Sequence, residues 1–82
     1  MRGGWSMKAD HRIDVRGEAC PMPVILTRDK LREMRDGEVL EVTTDFPASR
    51  DNIRKAVTRE GHEVLGVTEE DGSFKIYIRK KG

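Results

Sequence analysis

The chain has 82 residues, with 16 Lys and Arg against 15 Asp and Glu, a formal net charge of +1, and 35% hydrophobic against 38% charged residues. That length allows one domain with a small core, and the near-neutral balance excludes the strong positive field on which phosphate-backbone binding depends. One cysteine excludes an intramolecular disulfide, and no apolar run approaches the roughly 20 residues that span a bilayer, so no membrane partner is expected.

Residues 1–10 combine paired glycines with an isolated Trp5 and show no period, so they read as a flexible leader or expression remnant before a single domain over residues 11–82. No basic flank precedes an apolar stretch of signal-peptide length, which places the thiol in a reducing cytoplasm. Ile13 and Val15 alternate with His11, Arg12 and Asp14 as a short first strand, and Arg16-Gly17 turns the chain. From Pro21 the period becomes helical, with Val24, Thr27, Leu31 and Met34 at steps of three and four among Arg28, Asp29, Lys30, Arg32, Glu33 and Arg35. This predicts an amphipathic helix from Pro21 to about Asp36-Gly37, where Gly37 supplies a left-handed cap. Because proline biases the residue before it away from helical geometry, a start at Pro23 is the alternative.

Residues 38–44 form a β-branched second strand, Leu40 and Val42 facing one way and Val39 and Glu41 the other. Asp45 and Pro47 turn the chain into a second helix from about Ala48 or Ser49, with Ile53, Ala56 and Val57 on its buried stripe and Gly61 at its end. Residues 62–70, a turn at Asp71-Gly72-Ser73 and residues 74–80 make a hairpin, with Phe74, Ile76 and Ile78 inward and Lys75, Tyr77 and Arg79 outward. The order β-α-β-α-β-β predicts an α/β (α+β) two-layer sandwich. Strand-helix-strand units need parallel crossovers and the terminal hairpin is antiparallel, so a four-stranded mixed sheet carries two helices on one face.

Residues 17–25, GEACPMPVI, contain the only cysteine and two of the three prolines. Proline suits the first turn of a helix, where an amide has no intrahelical acceptor, so Pro21 and Pro23 mark a helix start. Cys20 then falls at or just before the N-cap, near free N–H groups and the positive end of the helix dipole. A free thiol titrates near about 8.5, and such a position lowers that by about a unit or more, favouring a thiolate and equally a persulfide anion. The competing reading is a small buried hydrophobe, a common fate of free cysteine, and position alone leaves both open.

Neither His11 nor His62 is spaced to act as a base for the thiol, and one Cys with two distant His is a poor metal set, so no metal is expected. A cysteine phosphatase needs a phosphate-cradling loop that closes on an arginine a few residues later. Here the first arginine after Cys20 is Arg28, inside the helix, which excludes that class.

Further motifs follow in order: Asp14-Val15-Arg16-Gly17, Cys20-Pro21-Met22-Pro23, Leu31, Asp36-Gly37-Glu38, Asp45-Phe46-Pro47-Ala48, Arg50-Asp51-Asn52-Ile53 and Gly61-His62-Glu63. In that order and spacing the chain resembles the TusA/SirA-like sulfur-carrier family from Ile13 to Lys80. The resemblance implies a two-layer sandwich similar to the C-terminal domain of bacterial translation initiation factor 3. It also implies that Cys20 accepts sulfane sulfur as a persulfide from a cysteine desulfurase or other persulfide donor. A downstream sulfur-acceptor protein then receives it, for tRNA thiolation or for sulfur oxidation, molybdenum-cofactor supply or selenium metabolism. No cofactor and no direct nucleic-acid contact is implied, and the protein would be a sulfurtransferase-like relay rather than a stand-alone enzyme.

Gly17 would give the cysteine loop freedom to present the sulfur. The first turn of the first helix and the Asp45-Phe46-Pro47 turn would share an accessible face. Asp45 and Arg50 match polar family positions: they either orient the cysteine loop and recognise a partner, or cap a turn and sit as a solvated charge. Arg16, Arg28, Arg32, Arg54 and Arg59 either dock an acidic partner or form solvated faces. Met22 stands where many tRNA-thiolation members carry an acid, and Glu18-Ala19 replaces a common Leu-Arg pair, departures that bear on partner choice. Two other classes compete: a regulatory or RNA-interacting module with a packed Cys20, and a sulfenic-acid redox sensor, which would lack a resolving cysteine.

Overall fold

In the computed structural model, which describes residues 9–18 and 21–81, the elements run β1 (His11–Asp14), α1 (Met22–Glu33), β2 (Val39–Thr44), α2 (Pro47–Arg59), β3 (Glu63–Glu70) and β4 (Ser73–Arg79). Residues 1–8 of the expected leader, Ala19 with Cys20, and Gly82 lie outside the described residues. The strand order is β1-β2-β4-β3, with β1 parallel to β2 and β4 antiparallel to both β2 and β3. The first crossover therefore joins neighbours, whereas the second passes over the slot that β4 fills.

Burial alternates along β2 and β4: Leu40, Val42 and Thr44, with Phe74, Ile76 and Ile78, are buried, and the residues between them are more exposed. One face of the sheet is thus covered, and it is the face that both helices need. Register stacks Leu40 against Ile78 and Val42 against Ile76, with Ile13 beside Val42 and Val64 beside Ile78. Leu31 of α1 and Ile53 and Val57 of α2 close the core over them. The final hairpin turns at Asp71 (φ 52°) and Gly72 (φ 80°), the paired positive φ of a type I′ turn. Ser73 already pairs with Glu70, so it belongs to β4 rather than to the turn.

Two helix boundaries differ from the periodicity. The deepest residues of α1 are Pro23, Thr27 and Leu31, with Val24 only half-buried, so the seam starts on the proline. The Thr27 hydroxyl donates to the Pro23 carbonyl at 2.7 Å, which satisfies a buried polar group inside that seam. The helix also stops at Glu33 rather than at Asp36-Gly37. Met34 is extended (φ −91°, ψ 157°) and 5% exposed, because leaving the helix there drives its side chain into the core. Gly37 is left-handed (φ 93°), but in the following turn, where its N–H donates to the Lys80 carbonyl at 2.8 Å. Lys80 returns the link: its Nζ donates to the Leu31 carbonyl at 2.6 Å, near the end of α1.

The second helix starts at Pro47, with Phe46 as N-cap, and its buried stripe is Ser49, Ile53 and Val57 at steps of four. Ala56 is half-buried beside it.

Candidate functional site

The site is assembled where β1 and β2 both end. Beyond β1, the Val15 amide donates to the Thr43 carbonyl at 2.8 Å and extends the ladder by one residue. Val15 is itself buried, which fixes where the chain must leave the sheet. Asp14 accepts the Arg16 amide at 3.0 Å and the Arg16 guanidinium through both oxygens, the shortest contact being 2.7 Å. These bonds hold the Asp14 carboxyl down at about 2, with Arg16 as the dominant cause.

The Glu18 amide then donates back to the Val15 carbonyl at 3.2 Å, with Gly17 at φ 81°. A positive φ at the third position is what a type II turn requires, and glycine takes it without a Cβ penalty. The Gly17 amide donates to Asp45 Oδ1 at 3.3 Å. This bond ties the segment leading to Cys20 to the segment leading into α2.

On the far side of Cys20, Pro21 is the N-cap of α1 (φ −100°, ψ 12°), and among the described residues no side chain caps the helix. The first helical hydrogen bond runs from the Ile25 amide to the Pro21 carbonyl at 3.1 Å. Of the amides before it, Pro23 has none, which leaves those of Met22 and Val24 at the positive end of the dipole. Pro21 and Pro23 divide the work: the first is exposed at the cap, the second is buried in the core and anchors the turn. Cys20 precedes the N-cap by one residue in sequence; its own placement is outside the described residues.

Apolar side chains surround this end of the molecule without being buried. Met22 is 40% exposed, Ile25 41% and Phe46 47%. Ile25 went unremarked in the sequence, although its place off the Pro23, Thr27 and Leu31 stripe is the signal that marks it. Asp45 is not a helix cap, since Phe46 holds that position without a side-chain bond. Arg50 is more than a solvated charge. Its guanidinium lies 4.7 Å from the Phe74 ring centroid and pairs with Asp51 at 3.0 Å, which places it over the top of the core. Among the described residues no contact joins it to the Gly17–Asp45 link.

The two histidines have structural partners. His11 Nε2 lies 3.1 Å from Glu38 Oε1, and His62 Nδ1 accepts the Lys81 amide at 3.1 Å. Most of the basic residues singled out in the sequence also meet carboxylates: Arg16 with Asp14, Arg28 with Glu60, Arg32 with Asp29 and Arg54 with Asp51. The Arg28 Nε is buried beside Glu60 yet out of line for a hydrogen bond, so that pair is an ion pair only. Among the described residues no helix is long and apolar enough to cross a membrane.

A two-layer α/β sandwich with a glycine turn, a proline-capped helix and a cysteine between them defines a small thiol-bearing domain. The chain belongs to the TusA sulfurtransferase family, whose profile matches residues 11–80. A candidate sulfur carrier protein of Thermotoga maritima is 47% identical over 70 residues, covering 84% of this chain and 89% of that one. The candidate sulfur carrier YedF of Escherichia coli is 34% identical over 71 residues, covering 87% of this chain and 92% of that one. The crystal structure of a SirA-like protein from Desulfitobacterium hafniense superposes with a TM-score of 0.79 at 31% identity, covering 88% of this chain and 99% of that one. The family and the fold expected from the sequence are both those found.

Proposed function

We propose that this protein carries sulfane sulfur on Cys20 and relays it between a donor and an acceptor protein. The observation that supports this most is the family match across residues 11–80, which spans Cys20 and the helix cap at Pro21 that follows it. In the loading step, the Cys20 thiolate attacks the outer sulfur of a donor persulfide such as that of a cysteine desulfurase. A Cys20–S–SH persulfide forms as the donor S–S bond breaks, and the donor leaves as thiolate. In the delivery step an acceptor thiolate attacks the outer sulfur of Cys20–S–SH, and Cys20 leaves as thiolate. Each step exchanges one S–S bond for another, so no external oxidant or reductant enters.

Within this reading Gly17 shapes the turn before the thiol, Asp45 restrains it through the Gly17 amide, and Pro21 and Pro23 fix the helix start behind it. Met22 and Phe46 offer apolar contact to the partner, while Arg50 supports the Phe74 end of the core. The α1 N-terminus favours both the thiolate and the persulfide anion. The cytoplasm suits a lone thiol of this kind. The destination of the sulfur, tRNA thiolation or another trafficking route, is set by the acceptor.

Incubation with a cysteine desulfurase, free cysteine and pyridoxal phosphate, followed by intact mass measurement, tests the proposal. A gain of about one sulfur mass that reductant removes and that Cys20→Ala abolishes is expected. No gain from several desulfurases or small persulfides, with Cys20 also inert to alkylation, refutes the relay and leaves a binding module with a packed cysteine.

A further inference from the structure

Along the C-terminal half of α2 an open groove of about 530 Å³ runs against β3, lined by Asp51, Arg54, Lys55, Thr58, Arg59 and Val64. Three of these side chains are cationic and one is anionic. Asp51 is already engaged, by Arg50 at 3.0 Å and Arg54 at 3.8 Å, and attracts Lys55 only at longer range. Neither Lys55 nor Arg59 has a carboxylate within 4.0 Å among the described residues. Arg12, Arg28, Arg32 and Arg79, by contrast, each meet one. Uncompensated positive charge therefore collects in this groove.

Its shape selects among anions. Val64 gives an apolar floor, Thr58 adds a hydroxyl, and β3 pairs with β4 on one side only, so the groove opens along the edge of the sheet. An extended polypeptide with carboxylates alternating with apolar side chains matches a cationic rim over an apolar floor. A nucleic-acid backbone matches it less well, because Asp51 lines the groove, Val64 offers an apolar surface and the net charge is only +1.

We infer that this groove docks an acidic, extended segment of a partner protein, at a place separate from the cysteine motif. At about 1.5 Å per residue, Lys55 lies roughly 12 Å along α2 from Pro47, where the helix begins beside the Asp45–Gly17 link. A partner anchored in the groove leaves the Gly17–Asp45 link uncovered. The inference goes beyond the relay reading and needs no sulfur chemistry.

Fluorescence anisotropy with a short dye-labelled peptide of alternating Asp and Leu tests it. Saturable, salt-sensitive binding is expected, weakened about tenfold by Lys55→Glu with Arg59→Glu, since two exposed attractions become repulsions. The neutral pair Lys55→Gln with Arg59→Gln gives an intermediate loss and checks that the charge reversal has not acted through misfolding. Cys20→Ala binds the peptide as wild type does, so failure of the relay and failure of the groove are read separately. Amide shifts on peptide addition fall on Arg54, Lys55, Thr58, Arg59 and Val64. Shifts centred instead on Arg28 to Arg32, undiminished binding by the reversed variant, no saturable binding, or tighter binding of a single-stranded RNA of equal charge would each overturn the inference.

Discussion

Replacing Gly17 by alanine isolates the backbone contribution of the turn that leads to Cys20. A Cβ built there meets nothing within 4 Å, so no clash enters, and the φ of 81° alone sets the cost. An L-residue in the left-handed region loses about 1–2 kcal/mol, and the alanine recovers about 0.4–1 kcal/mol through a less disordered unfolded chain. The expected net loss is about 1 kcal/mol, or roughly 4–8 °C in melting temperature for a domain of this size. If the loop escapes the strain by rotating, it gives up the Glu18–Val15 and Gly17–Asp45 hydrogen bonds instead, each worth about 0.5–1.5 kcal/mol. Either route leaves the variant measurably weaker. Urea denaturation followed by circular dichroism measures the loss, and alkylation of Cys20 by iodoacetamide in the folded state reports whether the thiol has moved. Gly17→Asn, which tolerates left-handed geometry better, should recover part of the stability. A Gly17→Ala protein as stable as wild type with unchanged alkylation would show that the turn is not left-handed at Gly17, and the account of the loop would fall with it.

Thr27→Val keeps the shape of the α1 seam but removes the 2.7 Å bond to Pro23, so a loss of about 1 kcal/mol in denaturant titration is expected, with Thr27→Ser retaining the bond. Asp14, held at about 2 against an ordinary 3.8 mainly by Arg16, contributes above pH 3.8 and loses that contribution as pH falls toward 2. Asp14→Asn should flatten the acid limb of the stability curve there, and carbon-detected titration of the carboxyl should find its midpoint near 2. His62 is lowered below 6.5, first by burial and then by Lys80, and the neutral ring is the form whose Nδ1 accepts the Lys81 amide. The fold favours the neutral ring, so the contribution of His62 is intact above pH 6.5 and declines as pH drops below it; a proton NMR midpoint at or above 6.5 would contradict this.

Much of this molecule is legible in local periods. The alternation of Phe74, Ile76 and Ile78 against Lys75, Tyr77 and Arg79 reproduces the burial of β4 residue by residue, and Leu40 and Val42 do the same for β2. Ile53 and Val57 mark the inner stripe of α2 just as plainly. What the periods did not carry is decided by contacts between distant segments. Pro23 outranks Val24 in depth because the helix must lie with its first turn on the core, and Met34 ends α1 early because the core claims its side chain. The Gly17–Asp45 bond joins residues 28 apart in the chain, and Arg50 finds Phe74 across α2 and β4. No helical or strand period encodes either contact. The cysteine motif is visible as a helix start, yet the turn before it is tied to Asp45, a link between distant segments that emerges only in three dimensions.

The central place of β4 shapes how the protein can be made. As the chain is synthesised, α1, β2, α2 and β3 all emerge before the strand that joins β2 to β3. Until residues 73–79 are made, the β2 and β3 edges that β4 covers in the finished sheet have no partner within it. Leu40 and Val42 of β2 are covered in register by Ile78 and Ile76 of β4, so the centre of the sheet is completed by the strand that is made after the others.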